Sequence, residues 1–198
     1  MKKIFLVAAM ALFTLGAWAQ PKFAHVNFTE PVQLMPEADA ARTTMAASSK
    51  EAQDTFNDMQ AEFNSKYQAY QQKASTWTPA IKESKERELT EIQQRIQEFG
   101  QSIQAELQQQ QEQLMAPIYK KAQDTVAELA KKGGYIYVFD RNSVLYLDES
   151  QSADLTAEAR KALNIAEGRT LEALQAELQA QAQQSAQAPA AAPAPAQK

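Results

Sequence analysis

The chain contains no cysteine, which excludes disulfide staples, thiol chemistry, thiolate metal sites and lipid anchoring through an N-terminal cysteine. It has five glycines in 198 residues, and the adjacent pair Gly133-Gly134 closes a helical pattern instead of opening one, so no phosphate-cradling loop is present. Its single histidine, His25, lies on a predicted strand and reads as structural, with a ring nitrogen free to cap a polar contact. Acidic neighbours such as Glu86 with Glu88, or Asp148 with Glu149, sit in solvated segments with no partner to form an acid–base pair. No catalytic, cofactor-binding or metal-binding residue is therefore assigned, and no enzyme is expected. Aromatic residues make up 8% of the chain, and much of the 44% hydrophobic fraction is alanine. That balance favours extended helix over a compact globule.

What is abundant is Gln, Glu, Lys and Ala, and between residues 37 and 132 these carry apolar side chains at spacings of three and four. The first series runs Met45, Ser49, Ala52, Phe56, Met59, Phe63, Tyr67, Tyr70, Ala74 and Trp77, the rhythm of a coiled-coil seam. Thr76, Trp77, Thr78 and Pro79 break it, and it resumes as Leu89, Ile92, Ile96, Phe99, Ile103 and Leu107, continuing through Leu114, Ile118, Ala122, Val126 (or Thr125) and Leu129. Two long helices folded back antiparallel near position 78 would pair residues whose numbers add to about 155. Under that rule Phe56 meets Phe99, Met59 meets Ile96, Phe63 meets Ile92 and Ala52 meets Ile103, so seam meets seam. An arm of nearly forty residues is on the order of 55 Å long, more than a compact core needs, so the hairpin must project. Pro117 falls opposite Ala38, where the first arm begins, and is expected to kink the second arm there and act as a hinge.

Residues 1–19 combine two lysines, an apolar run from Ile4 to Ala17 and an Ala17-Trp18-Ala19 end, as a cleavable secretory signal does. The run is shorter than the about 20 residues that span a bilayer. Removing Lys2 and Lys3 with it takes the formal charge from −4 to −6. Residues 20–36 hold a first strand, Lys22 to Phe28, with Ala24, Val26 and Phe28 on one face, and then a connector bracketed by Pro31 and Pro36 with room for at most one helical turn. After Gly134, Tyr135 to Phe139 and Val144 to Leu147 read as a β-hairpin around Asp140-Arg141-Asn142-Ser143, with Ile136, Val138, Val144, Leu145 and Leu147 as body or oligomer contacts. Thr156 offers a cap for a short closing helix, Ala157 to Leu163, with Leu155, Ala159 and Leu163 on one side.

Three short strands and a two-turn helix in residues 20–36 and 133–165 are too little to stand alone with buried sheet faces, and oligomerisation is the physical remedy. Residues 166–198 are read as a flexible tail: a weak helical stretch through Leu171, Leu174 and Leu178, then an Ala/Pro tract.

In this order, a signal segment, the strand KFAHVNF, a long helical hairpin, the run VFDRNSVLYL and the closing DLTAEARKALN resemble the Skp/OmpH family of periplasmic chaperones, over residues 1 to about 165. The resemblance implies an α+β fold in which a long antiparallel coiled-coil hairpin projects from a small β-sheet body, assembled as a homotrimer. It also implies an ATP-independent holdase that keeps unfolded outer-membrane β-barrel proteins in a cavity between the arms, with no cofactor and no nucleic acid. The family's well-known members are basic, whereas this chain is acidic, and no lipopolysaccharide-binding residues are carried over.

At the hairpin tip, about residues 74–82, Trp77 and Ile81 are candidates either to staple the turn or to meet a client or membrane. The nearby Lys73, Lys82, Lys85 and Arg87 are offset by Glu83, Glu86 and Glu88 and read as solvated helix surface. The rival reading of the whole chain is an exported coiled-coil adaptor that binds one folded envelope partner.

Overall fold

The computed structural model describes residues 21–187, so the signal-like segment 1–19 and the Ala/Pro tract after Gln187 lie outside the described residues. Strand β1 (Lys22–Val26) is followed by helix α1 (Thr29–Leu34), long helix α2 (Pro36–Lys73) and a 3-10 turn at Ala74–Thr76. Helix α3 (Pro79–Gly133) leads into β2 (Tyr135–Asp140), a 3-10 turn at Arg141–Ser143, β3 (Ser152–Asp154), α4 (Thr156–Ala162) and α5 (Leu171–Gln187).

The two arms start and stop where local chemistry dictates. Pro36 and Pro79 stand in the first helical turns, where the missing N–H costs nothing. The Thr78 hydroxyl accepts from the Ile81 N–H to cap α3. Gly134, with φ of 69°, ends it in the left-handed conformation and donates to Ala130 and Lys131, with two cations in the last turn. At about 1.5 Å per residue, α2 is about 57 Å and α3 about 80 Å long.

The arms pair in the expected register. Lys66 meets Glu88, Arg95 meets Glu62 at 3.2 Å, Tyr70 meets Glu86 and Lys121 meets Glu37, and every one of these pairs of numbers adds to between 154 and 158. Helix α3 runs unbroken through Pro117. Pro117 is exposed and adjoins the buried Ile118, level with the root of the first arm.

The body differs from the sequence reading in three respects. First, the expected β-hairpin does not form: Val144 to Leu147 belongs to no strand, and the third strand is Ser152–Asp154. All three strands are parallel in the order β2-β1-β3, with Ala24 opposite both Val138 and Ala153. Because β2 and β3 run the same way on opposite sides of β1, the chain between them must return across the sheet and cannot stay alongside β2 as its ladder partner. Consequently Val144 and Leu147 are half-buried, and Leu145 and Tyr146 project fully into solvent.

Second, the connector is part of the core. Pro31, Val32, Leu34 and Met35 are all buried, because Pro31 and Pro36 sit near helix starts and do not interrupt a helix. Val32, Leu34 and Met35 pack with Ala38, Ala41, Ile118, Ala122, Leu163 and Ile165, which places the main apolar cluster at the arm roots. Third, the stretch read as a free tail contains α5, whose Leu174 is 5% exposed and joins that cluster. The closing helix is as expected on its inner side, with Leu155, Ala159 and Leu163 buried. Its N-cap is Leu155, with no side-chain cap; the Asp154 carboxylate just ahead accepts from the Thr156 N–H at 2.8 Å, and the Thr156 hydroxyl accepts from the Asn27 N–H.

Candidate functional site

Two surfaces are built for contact: the long arm and the exposed apolar side of the small sheet. Along the arm, of the seam residues Phe56, Met59, Phe63, Leu89, Ile92, Ile96, Phe99 and Ile103, only Ile92 is fully buried. The rest are half-buried, since two helices alone cannot cover a seam from all sides. Ala52, Phe99, Ile103 and Leu107 line an open groove of about 490 Å³ between the arms, walled by Glu51, Glu106, Gln109, Gln110 and Gln113.

Ion pairs compensate for the thin seam. Glu88 bridges Lys66 of the opposite arm and Lys85 of its own, and these two ammonium groups hold its carboxyl down to about 2. Lys121 lowers Glu37 in the same way at the arm root. At the tip, Trp77 packs edge-on against Tyr70 with ring centroids 5.9 Å apart. Tyr70 also donates to Glu86, whose carboxylate raises the Tyr70 pKa. The partner the structure records for Trp77 is thus Tyr70, while Ile81 is 45% exposed.

The sheet carries a row of rings. Phe23 stacks on Tyr137 at 6.3 Å and Tyr137 on Phe139 at 5.9 Å, each of the three at least 37% exposed. Ile136 is 59% exposed, and Leu145 and Tyr146 are exposed in the segment that follows the sheet's second strand, so the body carries several large apolar side chains in solvent. Ala24 and Val26, by contrast, are internal. Phe28 packs on the arm-root cluster, and Val138 is half-buried beside Val26 in a cleft against the end of α3.

His25 is 2% exposed and accepts from or donates to the Ser152 hydroxyl at 2.9 Å through Nδ1, with Asp154 3.8 Å from Nε2. Burial pushes Asp154 up, but the hydroxyl and N–H of Thr156 and the nearby ring outweigh it and leave its pKa lowered. Ser152 is engaged by a ring sealed inside the sheet, so this trio ties β1 to β3 and presents no nucleophile. Neither Ser152 nor Asp154 was foreseen, because three residues without apolar alternation give no strand signal. Among the described residues no group of His, Cys, Asp and Glu could hold a metal ion, and no helix is long and apolar enough to cross a membrane.

Comparison with known proteins adds to this geometry. The family model described as outer membrane protein (OmpH-like) matches residues 22–163. The chaperone protein Skp of Yersinia enterocolitica is 27% identical over 164 residues, covering 81% of this chain and 98% of that protein. The chaperone protein Skp of Pectobacterium atrosepticum is 24% identical over the same length and coverage. The crystal structure of an OmpH-like outer membrane chaperone from Caulobacter crescentus superposes with a TM-score of 0.65 at 15% identity, covering 74% of this chain and 85% of that one.

Proposed function

The chain belongs to the OmpH-like family of outer membrane proteins, and from that premise we propose that it is an exported, ATP-independent holdase that keeps unfolded outer-membrane β-barrel proteins from aggregating in the periplasm. Its Skp relatives are named as chaperones. The observation that carries the reading is the arm itself: a 38-residue helix against a 55-residue helix, in which, of the seam residues Phe56, Met59, Phe63, Leu89, Ile92, Ile96, Phe99 and Ile103, Ile92 alone is fully buried and the others are half-buried. Such an arm offers many shallow contacts and no single deep pocket. Affinity then comes from multiplicity, each contact stays weak, and a client leaves when a better acceptor is offered, without nucleotide. Covering exposed apolar segments lowers the concentration of aggregation-competent surface.

The same reading makes the protein a homotrimer. The ring row on β1 and β2, Ile136 and the projecting Leu145 and Tyr146 form the surface that sister copies would cover. Three arms around a shared body would enclose a cavity, with Pro117 as the flexing point beside the buried root and Trp77 and Ile81 at the tips facing the client. Acidic charge argues against attraction to anionic lipid as the source of binding.

Light scattering tests the proposal. Several unrelated urea-denatured outer-membrane β-barrel proteins, diluted into buffer with the protein at about one trimer per client, should stay clear. If none is protected and one folded envelope protein is captured instead, the chain is an adaptor.

A further inference from the structure

Helix α5 lies beyond residue 163, where the family match ends. It packs chiefly on α1 beside the arm roots, anchored by Leu174 at 5% exposure and flanked by the partly buried Leu171. Thr170 starts it, its hydroxyl accepting from the Ala173 N–H at 3.2 Å. Beyond Leu174, residues 175–184 are all exposed. Leu178, 40% exposed, forms the rim of an open cleft of about 710 Å³ whose apolar lining includes Ala41, Met45, Leu114, Met115 and Leu174.

Three features make this docking reversible. The anchor is one fully buried leucine on a helix whose later turns are exposed. Arg169 reaches Asp39 at 2.6 Å, but Arg42 on the same arm contacts the same carboxylate oxygen, so Asp39 keeps a partner when Arg169 leaves. Docking also leaves the buried Arg169 Nε without an acceptor, a cost that ends when the segment lifts. Gly168, at φ of 77°, provides the turn just ahead of the helix.

We propose that α5 is a latch beside the arm root, displaced when an apolar segment of an unfolded client fills the open cleft that it shares with Ala41, Met45, Leu114 and Met115. The inference rests on the holdase reading. The cleft suits that occupant: two methionines adapt to varied side chains, and an extended segment of a β-barrel protein presents apolar residues on one face as the Leu171, Leu174 and Leu178 stripe does. A latch closed nine-tenths of the time would weaken apparent client affinity about tenfold.

Hydrogen exchange on the full-length protein, alone and saturated with a urea-denatured outer-membrane β-barrel protein, tests this directly. Amides of residues 172–184 should be protected in the free protein and exchange freely in the complex, while those of α2 and α3 stay protected. Leu174→Asp, which disfavours the docked state, should bind the same client about tenfold tighter while the arms keep their helicity. Unchanged protection of α5 in a complex that has formed, or unchanged affinity of Leu174→Asp, would overturn the latch and leave the holdase reading standing. Failure of both proteins to bind any client would remove both.

Discussion

Lys66 on the first arm and Glu88 on the second, 22 residues apart in sequence, form an ion pair across the hairpin, and Lys85 joins it from the side. This contact fixes the register near the tip, one helical turn from the buried Ile92. Its pH dependence follows from the Glu88 carboxyl, which lies at about 2 against an ordinary 4.5. A carboxyl whose folded pKa is lowered contributes stability that is fully present above its unfolded value and is lost as pH falls towards the folded value. Arm closure near the tip should therefore loosen between about pH 4.5 and 2, seen as lengthening between spin labels placed on the two arms. In Glu88→Gln the same distance should be longer already at pH 7 and change less on acidification.

Ile92 is the one sealed side chain among the seam residues between Phe56 and Phe63 and between Leu89 and Ile103, at 1% exposure. Ile92→Ala should cost about 2–4 kcal/mol in chemical unfolding, whereas Ile103→Ala, at a half-buried position, should cost about half as much. Equal losses would mean that the seam is covered evenly along its length.

Leu145 and Tyr146 touch solvent almost completely within one chain. The double variant Leu145→Asp with Tyr146→Ser should keep its helical circular dichroism and fall in mass towards the single chain by sedimentation equilibrium. An unchanged assembly would move the interface elsewhere.

Pro117 interrupts the hydrogen-bond ladder of α3 without ending the helix. Pro117→Ala restores one backbone donor and should stiffen the arm root, narrowing the spread of arm positions in small-angle scattering. If the scattering curve is unchanged, the hinge role is wrong.

The arms were legible from sequence because their information is local and repeated: many apolar positions agree on one fold-back point, and the cross-arm pairs Arg95 with Glu62 and Lys121 with Glu37 obey it. The body was less legible because its signals are short and depend on partners. Val144 to Leu147 has the composition of a strand, yet strand formation needs a neighbour, and the parallel order β2-β1-β3 gives it none in a single chain. Ser152–Asp154 has little strand character and pairs because β1, through His25, reaches it. The connector is legible as at most one helical turn of the body, while the burial of Pro31, Val32, Leu34 and Met35 depends on contacts that only the folded cluster supplies. Helix α5 is legible as a weak helix through Leu171, Leu174 and Leu178, but its docking is not, because a stripe of three leucines becomes meaningful only against the apolar cluster in which Leu174 is buried.

Native mass spectrometry of the purified protein with and without one denatured outer-membrane β-barrel protein tests the whole account most directly. It should show three copies of the chain in the free state and three copies plus one client in the complex, with no nucleotide added. A single chain that stays monomeric and retains no client would contradict both the shared body and the holding function.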